Sequence, residues 1–321
     1  MIRLEAVVVF MMVCLAGGSA AGGSGLRVEK VELSGCSDTS LCGEIQVRLV
    51  DILSMADAAG DLSMLFTDEG AECWTSLRKE TGFYCVNVLY EARLLNLPGG
   101  GYEVRGVRVR VEMGNTRGNP DQYLVFTFDD DLLVSDVRFA IESHHYERLL
   151  QDGERLGDFA NRQKILHFIE VFRTAYNRRD IEYLRRTYSD DALIVVGRVL
   201  KVAPEQPDML QKSLLTRDQI RFVKLSKAQY LDNLERVFDN NDFIKVTFDE
   251  VEVVRHDSLI EIYGVTLRQR WESSRYSDEG YLFLMIDFLD KDRPLIHVRT
   301  WQPEKFPDGS VISLYDFNII E

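Results

Sequence analysis

One pattern occurs twice in this 321-residue chain and constrains its fold more than any other feature. Residues 123–141 read YLVFTFDDDLLVSDVRFAI, and residues 281–301 read YLFLMIDFLDKDRPLIHVRTW. Each is an apolar strand, a short acidic turn and a second strand carrying Val-Arg, at Val137-Arg138 and Val298-Arg299. A repeated terminal hairpin implies two copies of one α+β module in tandem. Such a module is a pocket-forming scaffold, so its function has to be read from the pocket.

The chain is long enough for two domains, each with its own core. Its net charge is −14. That balance argues against nucleic acid and anionic lipid as partners, because both need a basic surface. Residues 1–21 read as a signal peptide. Arg3 is basic, residues 7–16 are apolar, and the small residues before Ala20 and Ala21 allow cleavage. The apolar stretch is too short to span a bilayer. The expectation is an exported protein: periplasmic, outer-membrane-associated or secreted. Beyond that segment lie four cysteines, Cys36, Cys42, Cys73 and Cys85. An even number in an exported chain implies disulfides. Three connectivities are open, and Cys36–Cys42 with Cys73–Cys85 is the simplest.

The periodicity divides the chain into a first module over 26–141, a linker over 142–160, a second module over 161–304 and a tail over 305–321. Helices are expected over 44–59, 68–82, 161–176 and 226–239, the last opened by a Ser226/Gln229 capping box. Strands are expected over 84–90, 102–113, 122–128 and 132–141, then over 192–202, 243–254, 258–271, 280–288 and 295–302. Residues 203–217 carry two prolines and read as a loose excursion. Helices followed by runs of antiparallel strands give an α+β fold, not a parallel sheet.

The segments FRTAYNRRDIEYL, YSDDALIVVG and VRTWQPE resemble the nuclear-transport-factor-two-like (cystatin-like) superfamily. The resemblance covers residues 162–304 well and 42–141 more weakly. The tandem arrangement, down to the late DFNI segment, also resembles exported two-module proteins of Bacteroidales. It implies a strongly bent antiparallel sheet wrapped on helices around a cone-shaped cavity.

The ketosteroid isomerases of this superfamily use an Asp base with Tyr and protonated Asp donors. Carried across by spacing from Asp180, Asp190 and Phe288, those positions fall on Phe172, Val196 and Leu284. All three are apolar, so chemistry of that kind is not expected. On the last strand, His297, Arg299 and Trp301 share a face by period two. The resemblance turns that face toward the cavity. An Arg and a Trp there suit an anionic or aromatic ligand. The competing reading makes Trp301 core, pairs Arg299 with a local carboxylate and leaves His297 a plain strand residue. The binding reading requires a cavity above about 300 Å³ beside Trp301.

Asp190-Asp191 and Asp129-Asp130-Asp131 read as turn chemistry, and His144-His145 has no third ligand in sight. No GxSxG, HExxH, P-loop or dinucleotide fingerprint occurs, and no metal or cofactor is expected. The sequence therefore points to an exported, non-enzymatic binding or scaffolding protein of the bacterial envelope. Its second module would hold a small apolar or anionic ligand near His297, Arg299, Trp301, Phe172 and Leu284. A protein partner or second copy would meet the exposed sheet face. The alternative is an isomerase- or dehydratase-like enzyme with a reconfigured pocket, using His297 as base.

Overall fold

The computed structural model describes residues 26–55, 62–97, 99–112, 119–141, 156–200, 219–259, 261–290 and 293–317. The signal segment, His144-His145 and the proline-bearing excursion lie outside these residues.

The first unit runs β1 (Lys30–Ser34), α1 (Thr39–Ser54), α2 (Asp68–Thr81), β2 (Tyr84–Cys85), β3 (Leu89–Asn96), β4 (Tyr102–Arg110), β5 (Asp121–Phe128) and β6 (Val134–Phe139). Its sheet has the order β1-β3-β4-β5-β6, with β2 on β4. All pairings are antiparallel except β1 with β3. Asp38 caps α1 by accepting from the Ser40 and Leu41 amides, and Gly82 ends α2 in the left-handed region at φ 57°. The core closes on Trp74, fully buried and within 5.9, 5.4 and 6.0 Å of the Phe66, Phe83 and Phe126 rings. The acidic turn of the first hairpin forms as expected: Asp129 accepts from the Asp131 and Leu133 amides.

The second unit runs α3 (Leu156–Arg178), α4 (Ile181–Thr187), β7 (Tyr188–Leu200), β8 (Gln219–Leu225), α5 (Lys227–Asp239), β9 (Ile244–Arg255), β10 (Ile262–Ser273), β11 (Ser277–Asp287) and β12 (Leu295–Gln302). Its sheet has the order β8-β7-β12-β11-β10-β9, with β7 and β12 parallel. Bulges interrupt the β9–β10 and β11–β12 ladders, and such insertions bend a sheet. The helix break is local. Arg179 turns left-handed at φ 58°, and Asp180 then caps α4 through the Tyr183 amide at 2.8 Å. Both halves of the Ser226/Gln229 capping box are present. The α+β expectation therefore holds in both units. They differ in where the leading strand joins: β1 adds beside the first strand of the meander, β7 beside the last.

Helix α3 joins the two units, touching α2 and β6 on one side and β9 on the other. Its fully buried Glu170 accepts from Arg138 Nε at 3.1 Å, the Ile141 amide at 2.9 Å and Arg105 Nη1 at 3.1 Å. Glu103 accepts from the same two arginines, and Asp136 takes Arg138 Nη1 at 2.8 Å. The Arg of the first Val-Arg pair is thus neutralised by three carboxylates.

Four expectations need correction. Cys36 and Cys42 form a disulfide, but Cys73 and Cys85 are free thiols. Cys73 interacts with Arg178 of α3, whereas Cys85 is buried with its thiol toward the Leu53 carbonyl. The expected strand over 84–90 is two strands, β2 and β3. Asp190 belongs to strand β7 and pairs with Lys227 at 2.8 Å. The helix expected over 161–176 is longer at both ends and runs Leu156–Arg178.

The tail also has a defined place. A 3-10 turn at Leu314–Asp316 follows the last strand. Leu314 and Phe317 pack on the outer face of the second sheet, with Phe317 stacked on Phe283 at 5.4 Å. Gly264 makes room for it, because a Cβ there would lie 2.8 Å from the Leu314 Cβ. Part of the sheet face expected to meet a partner is therefore covered by the chain itself.

Candidate functional site

Parity along the strands sends Leu282, Leu284 and Ile286 of β11 to the concave side of the second sheet, and Phe283 to the tail side. On β10 the concave residues are Tyr263, Val265, Leu267 and Trp271. Helix α5 crosses this side with Tyr230, Leu231, Leu234 and Phe238 buried. Sheet and helix do not close fully. A cavity of about 920 Å³ remains between Trp271, Trp301 and Arg299 on the sheet and Tyr230, Leu234 and Val237 on α5. Gly280 shapes its wall. A Cβ there would stand 2.8 Å from the Trp301 ring, so the bare backbone lets the indole lie flat.

Arg299 is the dominant charge. It is 6% exposed, and its guanidinium carbon lies 4.9 Å from the centre of the Tyr230 ring. The phenol of Tyr230 meets that of Tyr176 at 2.7 Å, and Tyr176 meets Tyr188 at 3.3 Å. Burial holds the Tyr176 and Tyr188 phenols above their ordinary range, so both stay neutral. Among the described residues no carboxylate lies within ion-pair distance of Arg299.

Asp278 is the second group. Burial pushes its carboxyl up to about 7, against the pull of Arg299, which lowers it. The Tyr276 hydroxyl donates to its Oδ2. Besides Glu279 Oε1, which lies in an ion pair with Arg268, four buried atoms in these walls have no hydrogen-bond partner: Arg299 Nε, Trp271 Nε1, Trp301 Nε1 and Asp278 Oδ1. Buried polar atoms in folded proteins are nearly always paired, and each orphan costs about 1–3 kcal/mol. Three unpaired donors beside one unpaired acceptor suit an occupant with a charged or strongly polar head. The rest of the wall is apolar and aromatic and suits a flat body.

The structure separates the residues expected at this site. Arg299 and Trp301 line the cavity, and so does half-buried Val196. Phe172 and Leu284 are fully buried in the core cluster and do not line it. His297 sits at the β11–β12 bulge with its side chain 39% exposed, 3.4 Å from Asp287 and away from the cavity. The bulge resets the period-two alternation, so His297 does not share the face of Arg299. Asp278, Tyr230 and Trp271 were not anticipated as site residues. Asp278 stands in YSDEG, which has the composition of a turn. Among the described residues no group of three or more His, Cys, Asp or Glu side chains could hold a metal ion, and no helix is long and apolar enough to cross a membrane.

No family model and no curated protein matches this chain. Several solved structures do. An NTF2-like protein from Cytophaga hutchinsonii matches at 10% identity and a TM-score of 0.32, over 44% of this chain and 97% of its own. A Bdellovibrio bacteriovorus protein, Bd1075, matches at 12% and 0.34, over 66% and 92%. A naphthalene 1,2-dioxygenase with indole in its active site matches at 9% and 0.36, over 51% and 89%. At these identities none of them speaks to what this chain binds. The cone between a bent sheet and its helices is the architecture that the sequence resemblance implies.

Proposed function

We propose that this is an exported, non-enzymatic binding protein of the bacterial envelope, and that its second unit holds a small, largely apolar anion in the cone. One observation carries the reading. The Val-Arg pair recurs in the repeated hairpin, but a one-residue difference in register turns the two arginines to opposite faces: Arg138, opposite Val125, points away from the first core, and Arg299, opposite Leu284, points into the concave side of the second sheet. Arg138 is met by Glu103, Asp136 and Glu170, whereas Arg299, also buried, has no ionic partner among the described residues. A buried guanidinium without a counter-charge is costly, and a bound anion would supply one. Binding is favoured over isomerase chemistry because Phe172, Val196 and Leu284 are apolar.

Quenching of Trp271 and Trp301 fluorescence by a panel of aromatic carboxylates tests this. Arg299→Met should weaken binding by about 10- to 100-fold, the loss of one charge-assisted contact. Equal affinity in wild type and variant would overturn the reading.

A second reading rests on Asp278, whose carboxyl near neutrality could move a proton as a catalytic base does. Mass spectrometry of a captured ligand, before and after incubation with wild type and Asp278→Asn, separates the two. Conversion by wild type alone would establish catalysis.

A further inference from the structure

We propose that Asp278 makes anion capture proton-coupled: the cavity takes up its ligand as an anion together with one proton from solvent, and the proton resides on the Asp278 carboxyl. This rests on the reading of the cavity as an anion site, and names the residue that sets which acids it holds and when.

The geometry leads there directly. Asp278 and Arg299 both line the one cavity, on neighbouring strands. While Asp278 is ionised, it offsets the charge of Arg299 across the cavity, and an incoming anion finds a neutral wall. Once Asp278 is protonated, the cavity carries the full positive charge of Arg299, and the carboxyl gains an O–H to offer the ligand. An anion seated at Arg299 replaces the carboxylate as counter-charge and disfavours its ionised form.

No other titratable group in the described walls duplicates this role. Facing the cavity from its own strand and the residue before it are Glu279, already paired with Arg268 and Arg270, and the Tyr276 hydroxyl, bonded to Asp278. From β10 come Gln269 and Trp271, which do not titrate. From β12 and the turn after it come Arg299 and Glu304, the latter exposed to solvent, which screens its charge. From α5 comes Tyr230, whose hydroxyl meets that of Tyr176 behind the wall, and Tyr176 in turn meets Tyr188. Burial raises the Asp278 carboxyl and Arg299 lowers it, leaving it near 7, where a modest perturbation shifts its proton occupancy.

The ligand class follows: a flat monoanion, such as an aromatic carboxylate or sulfonate, whose own charge is fixed near neutrality. The site holds it most tightly on the acid side.

Two probes of similar shape test this on the full chain. Anilinonaphthalene sulfonate keeps its negative charge across the pH range, and N-phenylnaphthylamine stays neutral. Between pH of about 6 and about 8.5, sulfonate affinity should fall by up to about 30-fold, the limit for binding to the protonated site alone. The neutral probe should show a flat profile. Asp278→Asn should hold the sulfonate at the acid-side affinity throughout. His297→Gln, at a histidine outside the cavity, should leave the wild-type profile in place.

Calorimetry of wild type in two buffers of different ionisation enthalpy gives a readout independent of the variants. About one proton should be taken up per sulfonate bound above neutrality. A flat sulfonate profile, a fall that survives in Asp278→Asn, or no proton uptake would each overturn the proposal while leaving an anion site standing. If neither probe binds, the reading of the cavity itself fails.

Discussion

Replacing Glu170 with Gln should loosen the joint between the two units more than any surface change. The substitution keeps the volume and one carbonyl oxygen but removes the charge. Glu170 is fully buried and serves three partners at once: Arg105, Arg138 and the Ile141 amide. Arg138 is itself fully buried, and Arg105 is 11% exposed at its side chain. With the amide in place, at least one guanidinium N–H faces an NH₂ group in the protein interior. Breaking a buried ion pair from one side costs about 3–5 kcal/mol. A domain's whole stability is about 5–15 kcal/mol, so the effect is large. With a urea slope of about 3 kcal/mol per molar, the unfolding midpoint should fall by about 1 M. Tryptophan fluorescence can follow it, because Trp74 sits in the first core and Trp271 and Trp301 in the second. If the midpoint moves by less than about 0.2 M, the network contributes nothing beyond its own desolvation and the argument fails.

Two further outcomes follow from the same contacts. Burial alone would raise the Glu103 carboxyl, but Arg138 and Arg105 outweigh it and bring it from 4.5 down to about 2. A carboxylate depressed on folding stabilises above its unfolded value. Wild type should therefore lose about 3 kcal/mol as pH falls from about 4.5 toward 2, and Glu103→Gln should lack that component; an unchanged acid profile in the variant would count against it. Leu314→Ala should free the tail from the outer sheet face at a cost of about 2–3 kcal/mol locally. Limited proteolysis should then cut after β12 while β7–β12 stay protected, and equal cleavage of wild type and variant would refute this.

Much of the architecture is legible in the chain because local chemistry and tertiary demand agree. Asp68–Thr81 begins at an acidic first turn and stops at Gly82, and the sequence places both ends. Ser226 and Gln229 satisfy each other's backbone donors wherever the helix packs. The strand over 295–302 is found where alternation puts it. Strand β3 is the instructive miss. LYEARLLN is rich in good helix formers, yet it alternates buried Tyr90, Ala92 and Leu94 with polar residues, and pairing with β1 and β4 overrides its propensity. At the site, Arg299 and Trp301 were within reach because both lie on one regular stretch of β12. His297 was misplaced because a bulge is invisible to a period-two count. Asp278 was missed because whether a carboxylate in a YSDEG segment ends a turn or opens a strand depends on the partner strand, here β10, where it faces Trp271.

The repeated hairpin also bears on function. A hairpin used twice brings its arginine twice, and each copy must meet the cost of burying a charge. In the first unit the neighbouring helix α3 supplies Glu170, and Glu103 and Asp136 complete the balance, so Arg138 holds the two units together. In the second unit the facing helix is α5, which presents Tyr230, Leu234 and Val237 to the cavity and no carboxylate. The aromatic face of Tyr230 offsets part of the charge, at about 0.5–2 kcal/mol for such contacts, well short of a buried ion pair. Of the acids in the described walls, Glu279 is paired with Arg268 and Arg270 and Glu304 is exposed, which leaves Asp278 as the buried one, and burial raises its carboxyl against the pull of Arg299. Placing a carboxylate on α5, as in Leu234→Glu, would give Arg299 the partner that Arg138 already has. That variant should be more resistant to unfolding than one carrying the same acid at the exposed Val47, and it should exclude the sulfonate probe at every pH. If it binds the probe as wild type does, the charge of Arg299 is not what the cavity offers.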